Sequence, residues 1–384
     1  MISNIPLSLY IHIPWCIQKC PYCDFNSHAL KGDLPETAYL QALAADLKQD
    51  LATFPLQDRT IHSIFIGGGT PSLFSADAIA ELLAIVGKQI NIAPEAEITL
   101  EANPGTIEQG SFSGFKQAGI NRLSIGIQSF QTEKLKTLGR IHNAEEAIRA
   151  VETVHQAGFD NFNLDLMHGL PNQTAEDALY DLKTALALRP THLSWYQLTL
   201  EPNTAFYQRP PILPVDEQLA DIQQAGQSYL AEHGFHPYEI SAYTTHTQPD
   251  RRSQHNLNYW LFGDYLAIGA GAHGKITDSK NNTITRYWKT RHPKDYLNPQ
   301  TSFLADKKII STAEIPFEFM MNALRLYQQI PISLFQTRTG FSIENITPAL
   351  TAAKKKGLLA WDEKHIETTE LGKRYLNDLL QIFL

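Results

Sequence analysis

A chain of 384 residues, 43% of them hydrophobic, can bury a large core, and at this length either two domains or one α/β barrel with additions is expected. A formal charge of −8, with no block of five like charges, argues against a nucleic acid or an anionic membrane as the ordinary partner. No apolar run approaches the roughly 18 residues that span a bilayer, and MISNIPLSLYIHIPWC has neither a basic start nor a long apolar stretch, so a cytoplasmic protein with no integral membrane segment is expected.

In chain order, β-rich runs stand at 7–13, 61–66, 96–101, 121–127, 161–166 and 192–200. Helix-compatible segments follow at about 35–53, 75–88, 107–118, 143–157, 174–188 and 216–233. Strand and helix in steady alternation predict parallel βα units, curled into a partial or complete β/α barrel; a doubly wound open sheet fits the same rhythm. Residues 241–300 are expected to finish this first domain. Near 300 the composition changes. Helical patterns at 313–328 and 342–356, a hairpin-like stretch at 358–370 and a last helix to 383 predict a winged-helix-like, α-rich module over 301–384. With ten Lys/Arg against nine Asp/Glu it lacks the basic face of a DNA-binding module. Lys354–Lys356 fits a helix end, where cations are favoured, and a lid or partner-docking role is expected.

A barrel carries its chemistry on the loops after its strands, and polar or turn-forming residues do follow each run. Cys16, Cys20 and Cys23 come after the first and Gly67-Gly68-Gly69-Thr70-Pro71 after the second. The third ends at Glu101, and the fourth runs into Gln128-Ser129-Phe130. Asp165 and His168-Gly169-Leu170-Pro171 close the fifth, and Thr199 and Glu201 the sixth. Any one of these is compatible with ordinary turn and cap chemistry; six in phase point to one site.

The chain has three cysteines, all within residues 16–23. An odd number in a reducing compartment does not suggest disulfides. CxxxCxxC puts three thiolates on one short loop, able to wrap a [4Fe–4S] cluster and leave one iron open to a small chelating molecule. A Cys3His zinc site with His12 or His28 is the alternative, although structural zinc sites usually join two separated ligand pairs. Three glycines, with neither Walker nor GxGxxG spacing, permit close backbone approach to a ligand, and exposed carbonyls suit an ammonium group.

Together, Tyr10-Ile11-His12-Ile13-Pro14-Trp15-Cys16, the CxxxCxxC, the GGGTP loop, Glu101, Gly126–Phe130 and Asp165–Pro171 resemble the radical S-adenosylmethionine (SAM) proteins, most closely the oxygen-independent coproporphyrinogen III dehydrogenases and their relatives. The resemblance covers nearly the whole chain, C-terminal module included. It implies a partial barrel with cluster ligands Cys16, Cys20 and Cys23, whose fourth iron takes the SAM amine and carboxylate. Gly68, Gly69 and Thr70 resemble the loop that receives the methionine amine. Tyr10, Tyr22, Glu101, Gln128, Arg140, Asp165, Thr199 and Lys275 match further SAM-contacting positions. Such roles are physically compatible: Arg140 can pair with a carboxylate, Asp165 can accept from ribose hydroxyls, and Tyr22 can lie near adenine.

One departure sets the subtype. The dehydrogenase motif continues CxxxCxxCxC, whereas here that position is Phe25, and Tyr10 stands nearly at the chain's start where the dehydrogenases carry an extended segment. Both features resemble the HemW-type heme chaperones, which implies heme as cargo and a heme-acceptor protein, which could be membrane-associated, as partner. Residues 255–260, HNLNYW, resemble the HNxxYW motif of that group. His255 is then a candidate iron ligand, beside Asn256, with Tyr259 and Trp260 offering flat apolar surface. The alternative is an aromatic packing cluster around a hydrogen-bonded His and Asn, with iron bound by another histidine. Decarboxylation of coproporphyrinogen III is the competing activity.

Overall fold

The structure is a computed structural model that describes residues 2, 5–106, 111–245 and 248–384. Six parallel strands form its centre: β1 (Leu7–Ile13), β2 (Thr60–Gly68), β3 (Asn91–Ala102), β4 (Arg122–Gln128), β5 (Phe162–His168) and β6 (His192–Gln197). They pair in sequence order. Beyond β6 the sheet adds Ala242–Thr245 and Phe235–Pro237, both antiparallel. Beyond β1 it adds Asp264–Ile268 in parallel, then His273–Asp278, Thr283–Lys289 and Leu304–Ile309 as an antiparallel meander. The two outer strands do not pair with each other, so the barrel is open. The sheet thus continues through Ile309, beyond the composition change near 300.

Alternation in these strands is the reverse of a simple apolar plug. Leu9 and Ile11, Ile64 and Ile66, Leu123 and Ile125, and Leu164 and Leu166 are fully buried in the main apolar cluster, which takes in the helices. The opposite face carries Ser8, Tyr10 and His12, then Ser63, Glu97, Thr99, Glu101, Arg122, Ser124, Gln128, Asn163, Asp165, His192 and Tyr196, because period-2 side chains share a face. That face is linked across strands by Ser8 to Ser63 (2.7 Å), Ser124 to Asp165 (3.0 Å) and Asn163 to His192 (2.7 Å). The barrel interior is therefore polar.

The covering helices α1 (Glu36–Thr53), α2 (Ala76–Gln89), α3 (Ser111–Gln117), α4 (Ala144–Gln156), α5 (Ala175–Ala187) and α6 (Asp216–Glu232) follow the expected order. The first residues of the stretch expected at 107–118 lie outside the described residues. Capping boxes at Asn143/Glu146 and Thr174/Asp177 fix two of the starts, each cap contributing about 1 kcal/mol.

A second apolar cluster gathers Ile310, Phe319, Phe335, Leu350, Ile366 and Leu379 with Ile2, Phe262 and Ile284 from the first unit. Its helices at Ile315–Ala323 and Thr347–Lys355 and its hairpin of Leu359–Trp361 with His365–Thr368 lie within the expected stretches, and the end divides into two short helices, Glu370–Arg374 and Leu376–Gln381. The helix Ile332–Thr339, which ends on Gly340 in the left-handed region (φ 77°), has no counterpart in the sequence reading. Among the described residues no helix is long and apolar enough to cross a membrane.

Candidate functional site

The chain after β1 turns across the barrel mouth. Trp15–Cys16 pairs in parallel with His28–Ala29, so the intervening loop leaves and returns at one place with Cys20 and Cys23 on its arc. Asn26 pins that arc: its Nδ2 donates to the carbonyls of Ala270 and Arg291, both at 2.8 Å, and its own carbonyl accepts from His12 Nε2 at 2.9 Å. All three thiols are free, and they line one cavity of about 280 Å³ with Tyr22, Phe25, Gly68, Gly69, Thr70, Glu101, Gln128, Arg140, Asp165 and Tyr196. Burial pushes the Cys16 thiol up. Of the eighteen positions assigned in the sequence to cluster, SAM or heme, eleven line this cavity: the three cysteines, Tyr22, Gly68, Gly69, Thr70, Glu101, Gln128, Arg140 and Asp165.

The glycines first make room for the protein's own groups. A Cβ on Gly69 would stand 2.4 Å from the Trp15 carbonyl oxygen, and one on Gly68, at φ 119°, 2.6 Å from the His12 ring. Backbone bonds from Gly69 N to Ile13 O and from Thr70 N to Trp15 O, both 2.7 Å, lace this loop to the residue before Cys16. The cysteine loop and the glycine loop form one unit.

Two carboxyl groups lie at the inner end. Gly68 N donates to Glu101 Oε2 at 2.9 Å, while Ser124 Oγ and Asn163 Nδ2 hold the two oxygens of Asp165 at 3.0 and 2.8 Å. Neither carboxyl forms an ion pair within 4.0 Å among the described residues, so burial dominates. Glu101 is pushed up to about 8 by burial and by the neighbouring Asp165, and Asp165 is also raised by burial. A cationic ligand would favour both ionised forms.

Arg140 supplies the opposite charge. Its Nη2 donates to Gly126 O at 2.6 Å and its Nη1 reaches Cys20 Sγ at 3.7 Å, while its buried Nε has no hydrogen-bond partner among the described residues. Gln128 accepts from Tyr196 OH at 2.8 Å and sits at φ 70°, a conformation costly for a residue with a side chain. Carboxylates at one place and a guanidinium at another suit a ligand that is both cation and carboxylate. The donor set fits a cluster on three thiolates with SAM beside it.

The remaining positions stand elsewhere. Tyr10 does not line the cavity; its OH meets His12 Nδ1 at 2.9 Å. Thr199 is exposed and donates to Glu201 at 2.9 Å. Lys275 is buried against Asp264 at 3.0 Å and over the Phe262 ring at 4.3 Å, a structural ion pair away from the cavity. HNLNYW is a short helix, Gln254–Trp260, seated against the barrel interior. Glu97 Oε1 accepts from Gln254 N and His255 N at 2.9 and 3.2 Å. The His255 ring is buried, with Nδ1 on Ser63 Oγ at 3.1 Å and Nε2 on Tyr259 OH at 2.7 Å. Burial keeps it neutral, its pKa pushed down to about 3. Trp260 lies under the Arg325 guanidinium at 4.3 Å, and Asn256 is partly buried with its backbone N–H on the Ser253 cap.

Sequence reasoning passed over Tyr196, Ser124, Asn163 and Asn26. The first three were accessible through alternation: a polar residue at every second position of a buried strand faces the interior. Asn26 had no such signal, because the carbonyls that hold its Nδ2 lie more than 240 residues away.

An open barrel of six parallel strands, with three free thiols and a glycine loop at its mouth and two buried carboxyls at the inner end of the cavity, defines a radical SAM protein. Residues 10–185 match the Radical SAM superfamily and residues 310–375 the HemN C-terminal domain. Heme chaperone HemW of Haemophilus influenzae is 53% identical, covering 99% of this chain and 98% of that protein. Heme chaperone HemW of Escherichia coli is 51% identical over the full length of both, and that of Bacillus subtilis 33% identical over 98% and 99%. The chain belongs to the HemW family. The solved structure of coproporphyrinogen III oxidase (HemN) from Escherichia coli superposes with a TM-score of 0.82 at 23% identity, over 99% of this chain and 90% of that one, and supports the fold.

Proposed function

We propose that this chain is a heme chaperone that carries a [4Fe–4S] cluster and SAM, takes up heme and passes it to an acceptor protein. The carrying observation is full-length kinship, up to 53% identity, with proteins named as heme chaperones. Phe25 agrees with it, because a phenyl ring lines the cavity where the dehydrogenase pattern places a further thiol.

Cys16, Cys20 and Cys23 would hold the cluster, which supplies one-electron chemistry at its open iron when bound. Arg140 Nε is available to a carboxylate, and Glu101 and Asp165 to a cation or to ribose hydroxyls. Asn26 and the Gly69–Trp15 contact keep the cysteine loop in place. The Tyr196–Gln128 bond joins two residues of the cavity wall.

Anaerobic protein with its cluster reconstituted should take up heme in a Soret titration and release it to an apo-heme protein. It should leave coproporphyrinogen III unchanged in the presence of SAM and reductant. Formation of protoporphyrinogen IX with SAM consumption would overturn the chaperone reading in favour of radical decarboxylation.

A further inference from the structure

A heme iron held by a histidine needs an imidazole nitrogen with a lone pair and room for a flat macrocycle beside it. His255 offers neither here, since both ring nitrogens are engaged and the ring is 1% exposed. A different pair stands on the outer flank of the cysteine loop. His28 and His292 meet at 5.1 Å between ring centroids, the one contact between two imidazoles among the described residues.

The hydrogen bonds of Asn26 fix the state of His28. Asn26 Nδ2 faces two carbonyl oxygens, so its other terminal atom, facing His28 Nε2 at 3.1 Å, is the acceptor Oδ1. His28 Nε2 therefore carries the proton, and Nδ1 carries the lone pair. No partner for Nδ1 is found among the described residues. Burial and the adjacent His292 lower the pKa of His28, which favours this neutral form. His292 is the same tautomer with its lone pair already engaged: its Nδ1 accepts from Lys294 N at 3.2 Å, which leaves its proton on Nε2.

The surroundings suit the rest of a heme. Phe25, three residues away, is 62% exposed with no ring contact among the described residues. Lys19 Nζ is held at the same loop by the carbonyls of Phe25 and Ser27, at 3.1 and 3.3 Å. Arg291 is exposed and touches Asn26 Oδ1 only through Nε, at 3.3 Å. An imidazole lone pair, an apolar face and two cations thus gather at the cysteine loop.

We propose that heme docks on this flank, with His28 Nδ1 on the iron, Phe25 against the macrocycle, and Lys19 and Arg291 on the propionates. The proposal rests on heme being the cargo and adds where it is received. The test is titration of ferric heme into cluster-containing protein, read by the Soret band, for wild type, His28→Ala, His28→Gln and His292→Ala. Both His28 variants should shift the band and weaken binding by about tenfold or more, and added imidazole should restore the wild-type band in His28→Ala. His28→Gln retains a side-chain donor toward Asn26, so its iron–sulfide content should be normal, and His292→Ala should keep the wild-type band. Wild type should prefer heme to its dimethyl ester, and Lys19→Ala/Arg291→Ala should lose that preference. Wild-type band and affinity in both His28 variants would overturn the proposal. Failure of the wild type to bind heme at all would instead overturn the cargo reading.

Discussion

Glu101 shows how a single buried group can serve a ligand at the expense of the fold. With its pKa near 8, it is uncharged at neutral pH in the ligand-free protein. A cation favours the carboxylate, so SAM binding should release a proton and tighten as pH rises, levelling off above about 8. Glu101→Gln should remove this dependence and weaken SAM by roughly 10- to 100-fold, as expected for a charge-assisted contact of about 1.5–3 kcal/mol. Calorimetric titration at pH 6, 7 and 8 in two buffers would show both effects. Linkage to folding has the opposite sign. Because the folded pKa lies above 4.5, this group's contribution is fully present below 4.5 and lost as pH rises through about 8. Ligand-free Glu101→Gln should therefore melt higher than wild type at pH 8, and an equal or lower melting temperature would contradict the burial argument.

At the level of the element, the helix Gln254–Trp260 is a structural seat, whatever else it does. Glu97 accepts its first two free N–H groups, Ser253 caps it, and Asn258 Nδ2 donates to the Asp264 carbonyl at 2.8 Å. His255 ties this helix to β2 through Ser63. Removing the ring opens a cavity and leaves Ser63 and Tyr259 short of a partner, so His255→Ala should cost about 2–4 kcal/mol. A lowered urea midpoint with unchanged slope would show it. Loss of heme binding in that variant alone consequently does not identify an iron ligand, and the comparison with His28 separates the two. The cysteine loop behaves the same way as a unit: its ligands are local in sequence, but its position depends on Asn26 and His12.

For the whole molecule, the C-terminal unit is not an appendage. Ile2, Phe262 and Ile284 belong to its apolar cluster, and Arg325 bonds Glu239 at 3.3 Å across the boundary. A chain ending at Ile309 would expose those three side chains, each worth roughly 1.5–3 kcal/mol when buried. That truncation should melt well below the full chain and bind a hydrophobic dye, as seen by thermal scanning and size exclusion; an unchanged melting temperature would show the units to be independent.

The cysteine site and the βα order were legible from residue spacing alone. Three thiols within eight residues stay near one another in any fold, and hydrophobic periodicity is a local property that survives without partners. It also placed Glu101, Gln128 and Asp165 in phase, because each lies in the second half or at the centre of a parallel strand, on the face that looks inward. The remaining contacts needed the folded chain. Arg140 reaches Cys20 across 120 residues, Lys275 turns away to Asp264, and His255 disappears between Ser63 and Tyr259. Those outcomes depend on strand register and on which buried polar groups find one another, and neither is carried by the spacing of residues along the chain.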